Sequence, residues 1–166
     1  MSNKIIVLNK KATEHFTNDE IACKCCGGVY TTPESLRHNA MYEEFRVAYK
    51  RSITPNSWTR CWNKHVDVYI KDGVPKNQVP KSSKHLSGMA TDENWPVDYK
   101  GMSSDEKDLF KLWIVDLWIK ICRKYKVAGG VGFYTWGFHL DSRDKAYNPR
   151  GYDCWGHKER LKLKSV

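Results

Sequence analysis

An α+β fold is predicted by this sequence, on three observations. Two long segments, 33–50 and 105–126, open with helix-start residues and continue with apolar residues at helical spacing. Three short segments, 89–95, 130–134 and 138–142, read as strands, each beside a glycine. No repeat, low-complexity tract or internal linker divides the 166 residues, so residues 1–166 are expected to form a single domain. With 40% hydrophobic and 28% charged residues, the composition is that of a globular chain and argues against disorder.

In chain order, Thr17-x-x-Glu20 is a capping box and predicts a single helical turn. Thr32-Pro33-Glu34 supplies an N-cap, a proline at the first helical position and an acid in the first turn. Leu36, Ala40, Met41, Phe45 and Ala48 then keep helical spacing to about Lys50. Residues 52–58 read as a short extended segment, and a polar loop with Gly73, Pro75 and Pro80 leads to His85. In strand 89–95, alternation puts Ala90 and Asp92 on one face, Met89 and Thr91 on the other. A second capping box, Ser103-x-x-Glu106, opens the longest helix. Arg123, Lys124 and Lys126 at its end suit the helix dipole, and Gly129-Gly130 just beyond suit a C-cap. On the last strand His139, Asp141 and Arg143 share a face, Phe138 and Leu140 turn to the core, and Gly137 falls in the preceding turn.

A net charge of +9 and a pI near 9.2 point to polyanionic surroundings: nucleic acid, acidic lipid or an anionic bacterial cell wall. The basic residues are scattered and form no recognisable nucleic-acid motif, so no nucleic-acid partner is expected. No stretch approaches the roughly 18–20 apolar residues of a membrane span. The run from Met1 to Asn9 is too short in apolar residues for a secretory signal, and the chain is expected to be made in a cytoplasm. Six cysteines do not read as a disulfide scaffold in such a chain. Cys23, Cys25 and Cys26 crowd ahead of Gly27-Gly28, while Cys61, Cys122 and Cys154 are spread out. Cys122, inside a helical pattern, reads as a small buried hydrophobe. The cluster either joins Cys61 in a structural metal site or stays reduced; Cys-x-Cys-Cys is not a standard zinc spacing and weighs toward the latter. Seven Trp and nine Tyr suit a core, and also a cleft that binds sugars or peptides.

The chemistry is carried by Ser83-Lys84-His85-Leu86-Ser87-Gly88-Met89-Ala90-Thr91-Asp92, with His139 later in the chain. Two imidazoles and one carboxylate are a ligand set that a catalytic zinc takes when its fourth position is left to water. Strands hold ligands rigidly, Gly88 lets the backbone turn between His85 and Asp92, and Ala90 leaves room over the ion. Taken alone, His-x6-Asp is not diagnostic: ordinary histidines and a turn aspartate give the same letters.

The pattern Ser83-x-His85-x-x-Gly88-x-Ala90-x-Asp92 with a later His139 resembles the zinc D-alanyl-D-alanine carboxypeptidases. That family takes in phage L-alanyl-D-glutamate endolysins and murein endopeptidases, and shares its fold with the hedgehog signalling domain. The stretch 129–134 leading to His139-Leu140-Asp141-Ser142-Arg143 looks like the branch that ends in a His-x-Asp-x-Arg strand. The opening from His15-Phe16-Thr17 to Cys25-Cys26-Gly27-Gly28 is similar to that branch too, so the resemblance runs from about residue 13 to 155. It implies a small antiparallel sheet carrying the zinc site, flanked by helices, with His85, Asp92 and His139 as the Zn2+ ligands. It also implies Arg60 as the cation that holds the scissile carbonyl or the substrate carboxylate, and Ser83 as a cleft hydroxyl that contacts substrate; a plain loop hydroxyl is the alternative for Ser83.

The sequence departs from the family at one position that matters. Many members carry an acid three residues before the last zinc histidine as general base; here that residue is Trp136. Asp141 is the nearby carboxylate, expected either to activate water or to orient the site. The resemblance implies a zinc peptidase acting on peptidoglycan, such as a phage endolysin, a monomer released to the cell wall after synthesis. The alternatives are a non-catalytic zinc module of the same fold and, on charge alone, a nucleic-acid binder.

Overall fold

The computed structural model describes residues 11–143 and 152–156. Along the chain they form α1 (Asn18–Ile21), α2 (Pro33–Tyr49), β1 (Pro55–Ser57), α3 (Trp62–Lys71), β2 (Ala90–Asn94), α4 (Ser104–Lys124), β3 (Ala128–Phe133), β4 (Gly137–Arg143) and β5 (Tyr152–Trp155). A 3-10 turn, Lys84–Ser87, precedes β2. The architecture is α+β, with an open sheet in the order β1-β2-β4-β3-β5.

Local chemistry accounts for the helix starts. Thr17 and Glu20 close a capping box on α1, with the Thr17 N–H donating to Glu20 Oε2 at 2.7 Å. Ser35 N–H donates to Thr32 Oγ1 at 3.2 Å and Pro33 takes the first position of α2. Ser103 and Glu106 cap α4 reciprocally. Each satisfies backbone donors that have no partner inside the helix. The end of α4 differs from expectation: the left-handed residue beyond it is Lys126 (φ 57°), while Gly129 and Gly130 lie inside β3.

One face of the sheet packs on α2 and α4. Val131, Phe133, Phe138 and Leu140 meet Met41, Tyr42 and Phe45 of α2 and Ile114, Val115 and Trp118 of α4, all essentially excluded from water. Each such side chain contributes about 1.5–3 kcal/mol by its burial. Cys122 belongs to this core, as its helical position predicts. His38 of α2 is fully buried and stitches two strands from behind, its ring nitrogens 3.0 Å from Thr91 Oγ1 and 3.1 Å from Ser142 Oγ.

Three further departures from the sequence reading have physical causes. The sheet is not wholly antiparallel, because β5 adds to the free edge of β3 in parallel, with Gly132 opposite Trp155. Gly137 begins β4 rather than sitting in a turn; a Cβ there would lie 1.8 Å from the Glu93 carbonyl oxygen. Helix α3 forms where only a polar loop was expected. Its N-cap is Cys61, whose Sγ accepts from Lys64 N–H, and cysteine carries none of the usual start signal. The resemblance over 144–151, and residues 1–10 and 157–166, lie outside the described residues. Among the described residues no helix is long and apolar enough to cross a membrane.

Candidate metal centre

The face of the sheet opposite α2 and α4 floors a cleft of about 640 Å³. Register explains what it displays. Asp92 of β2 lies opposite His139 of β4, and Ala90 opposite Asp141, so the site-facing positions of the two strands align. On β3 the residues opposite Asp141 and His139 are Gly130 and Gly132. A Cβ at Gly130 would lie 2.5 Å from Asp141 Oδ2, and one at Gly132 2.5 Å from the Trp155 ring. Neither strand position could carry a side chain without displacing the site.

His85 arrives from the 3-10 turn, which Gly88 ends in the left-handed conformation (φ 68°) before the chain enters β2. Its backbone is tied to the neighbouring loop by Arg60 N–H donating to His85 O at 3.0 Å. The His85 Nδ1–H donates to the Trp58 carbonyl at 2.6 Å, which leaves Nε2 as the lone-pair nitrogen. That Nε2 lies 3.3 Å from His139 Nδ1 and 3.2 Å from Asp92 Oδ2, and His139 Nδ1 lies 2.7 Å from Asp92 Oδ1. His85, Asp92 and His139 therefore form one buried group able to hold a metal ion, as their types and spacing suggest.

Behind the group, two partners fix its orientation. Asp141 Oδ2 accepts from His139 Nε2 at 3.2 Å, and both Asp141 oxygens accept from Arg143, at 2.7 Å from Nε and 2.8 Å from Nη2. Arg143 Nη1 in turn pairs with Asp153 of β5. Arg60, 8% exposed, donates from Nε to Ser57 Oγ at 2.8 Å and from Nη2 to Asp92 Oδ2. Ser83, half-buried, lines the cleft wall beside Lys84.

The electrostatics favour a cation at this point. Burial opposes charge on Asp92, yet the two imidazoles that face it hold its carboxyl well below the usual range. Burial likewise opposes a charged His139, but Asp141 and Asp92 reverse that and raise it to about 9. On His85 burial prevails over Asp92 and lowers the pKa. Two carboxylates that keep a proton on a buried imidazole would attract a metal ion to the same place.

The sequence brought four of these residues to attention but not their supports. The Trp58 carbonyl has no residue signal, because any residue supplies one. His38 was missed because its partners are 53 and 104 residues away. The aromatic rim was visible only as a high Trp and Tyr count. Trp155 stands with its ring centre 5.3 Å from that of His139, and Tyr134 stacks on Trp136 at 5.0 Å with the rings 4° from parallel. Both rim residues are partly exposed, at 38% and 43%. In comparisons with protein-family models, with curated proteins and with solved structures, nothing matches this chain.

Proposed function

We propose that the chain is a zinc peptidase of the bacterial cell wall, cleaving a peptide bond in the peptidoglycan stem or cross-link. The observation that carries this reading is the spacing of the three donor atoms. Ligands about 2.0–2.1 Å from one zinc in tetrahedral array stand about 3.3 Å apart, and the pairs here are 3.3, 3.2 and 2.7 Å apart. The donor set, two neutral nitrogens and one carboxylate, suits zinc and leaves one position for a reactant. The sequence resemblance named above adds the substrate class.

A zinc ion, when bound, would supply a Lewis acid that polarises a carbonyl and acidifies water. The protein's own groups do the rest. The Trp58 carbonyl and Asp141 fix which nitrogen of His85 and His139 faces the ion. Arg60 sits at the cleft floor against Asp92, where a fixed guanidinium serves two ends: it holds that ligand, and its remaining donors can meet a carboxylate or developing oxyanion. Ser83 offers a hydroxyl from the wall, and Tyr134, Trp136 and Trp155 offer flat apolar faces for a peptide or sugar. Asp141 has both oxygens engaged by Arg143 and His139, which favours orientation over proton abstraction as its role.

The test is digestion of purified peptidoglycan followed by mass spectrometry of the fragments. Zinc-loaded protein should release new amino termini at one kind of bond, chelator should stop it, and His85→Ala should be inactive. Zinc binding with intact peptidoglycan would leave the alternative, a zinc module without turnover. That alternative draws on one feature, Trp136 in place of the acid many relatives carry.

A further inference from the structure

A second group of metal-ligating side chains lies away from the cleft, at the junction of the 22–28 loop with the start of α3. The sulfur atoms of Cys23, Cys26 and Cys61 lie within 4.8 Å of one another. None of the cysteines is in a disulfide. Unlike Cys122, these three take no part in the hydrophobic core, so apolar packing does not explain why they converge.

The backbone around them is arranged about sulfur. Cys61 N–H donates to Cys23 Sγ at 3.2 Å, and the N–H groups of Cys25 and Cys26 turn to the same sulfur. Gly27, left-handed at φ 64°, lets the loop fold back, with Gly27 N–H donating to Cys23 O at 2.8 Å and Cys23 N–H to Gly28 O at 2.9 Å. Three backbone donors on one sulfur stabilise a thiolate rather than a thiol. Cys25 is also within bonding reach of Cys61 Sγ, which brings a fourth sulfur to the same spot. Within Cys-x-Cys-Cys there is a Cys23-x-x-Cys26 pair followed by glycine, a spacing that zinc sites use; taking the three cysteines as one unit hides it.

We propose that Cys23, Cys26 and Cys61, with Cys25 as the fourth sulfur, form a structural site for a thiophilic divalent cation of the zinc class. Four thiolates close the coordination shell and leave no position for a substrate. The role is to staple the N-terminal loop to residues 59–61. That junction is otherwise held by single bonds such as Thr59 N–H to Ile21 O at 3.3 Å. Since Trp58 and Arg60 stand next to it, the staple also steadies the carbonyl that orients His85 and the guanidinium on Asp92.

Metal counting on the full chain tests this independently of catalysis. After loading with zinc and desalting, elemental analysis should find a second equivalent beyond the one lost in His85→Ala. A Cys26→Ser/Cys61→Ser variant should lose that second equivalent and keep the first. Cobalt(II) in place of zinc should give an intense sulfur-to-metal band in the near ultraviolet that survives in His85→Ala. If the double variant does not fold, the cobalt band and the protection of the thiols from alkylation in the unaltered chain decide the matter. A single equivalent with no cobalt–sulfur band, thiols that alkylate freely in the loaded protein, or a disulfide within the group would overturn the proposal.

Discussion

Asp141 is the residue at which two accounts of the cleft part company. As an orienting group it should matter for metal affinity: Asp141→Asn is expected to weaken zinc binding about 10–100-fold and to recover rate when zinc is saturating. Titration calorimetry with zinc, paired with peptidoglycan digestion at rising zinc, measures both. Tight zinc binding with no turnover would give Asp141 the proton-transfer role instead. Arg60→Lys should lower both zinc affinity and turnover, since an ammonium cannot donate to Ser57 and Asp92 at once from one rigid fork. Unchanged kinetics in that variant would confine Arg60 to packing. At this scale the sequence was informative about side chains whose types are scarce in cores, such as His85 and Asp92. It was silent about Trp58 and His38, whose roles depend on which distant backbone or hydroxyl they meet.

At the level of elements, the helix starts were legible because capping is local: Thr32, Ser103 and Glu106 act within one turn of themselves. Strand β5 and helix α3 were not legible. The first depends on the free edge of β3, and the second on a cysteine cap. Strand β3 carries its own prediction. Gly130→Ala places a methyl 2.5 Å from Asp141 and should cost about 1–3 kcal/mol in urea unfolding while weakening zinc binding; no loss of either would mean that the Asp141–Arg143 pair moves aside freely. The link between α2 and the sheet is pH-sensitive. Burial first of all keeps folded His38 neutral down to about 3, whereas the ordinary value is 6.5. The unfolded chain thus takes up a proton that the folded one refuses, and stability falls as pH drops below 6.5, by at most about 1.4 kcal/mol per pH unit from this group. Above 6.5 it contributes no slope. Urea midpoints from pH 7.5 to 5 should fall less steeply in His38→Gln than in the parent; parallel profiles would remove His38 from the acid response.

For the molecule as a whole, a charge of +9 and a cleft on one face of the sheet suit an enzyme drawn to an anionic polymer. Adsorption to purified anionic cell walls should weaken steeply with salt, since the screening length shrinks to about 3 Å at 1 M. Salt-independent retention would point to stacking on Tyr134 and Trp136 as the main attraction. The central claim, however, is a metal centre at the convergence of the 3-10 turn, β2 and β4. Anomalous diffraction at the zinc edge, from crystals of the full chain grown with zinc, reads it directly. The account predicts a peak about 2.0–2.2 Å from His85 Nε2, His139 Nδ1 and an Asp92 oxygen. Density without a peak there, with Asp92 still clasped between Arg60 and the two imidazoles, would contradict it.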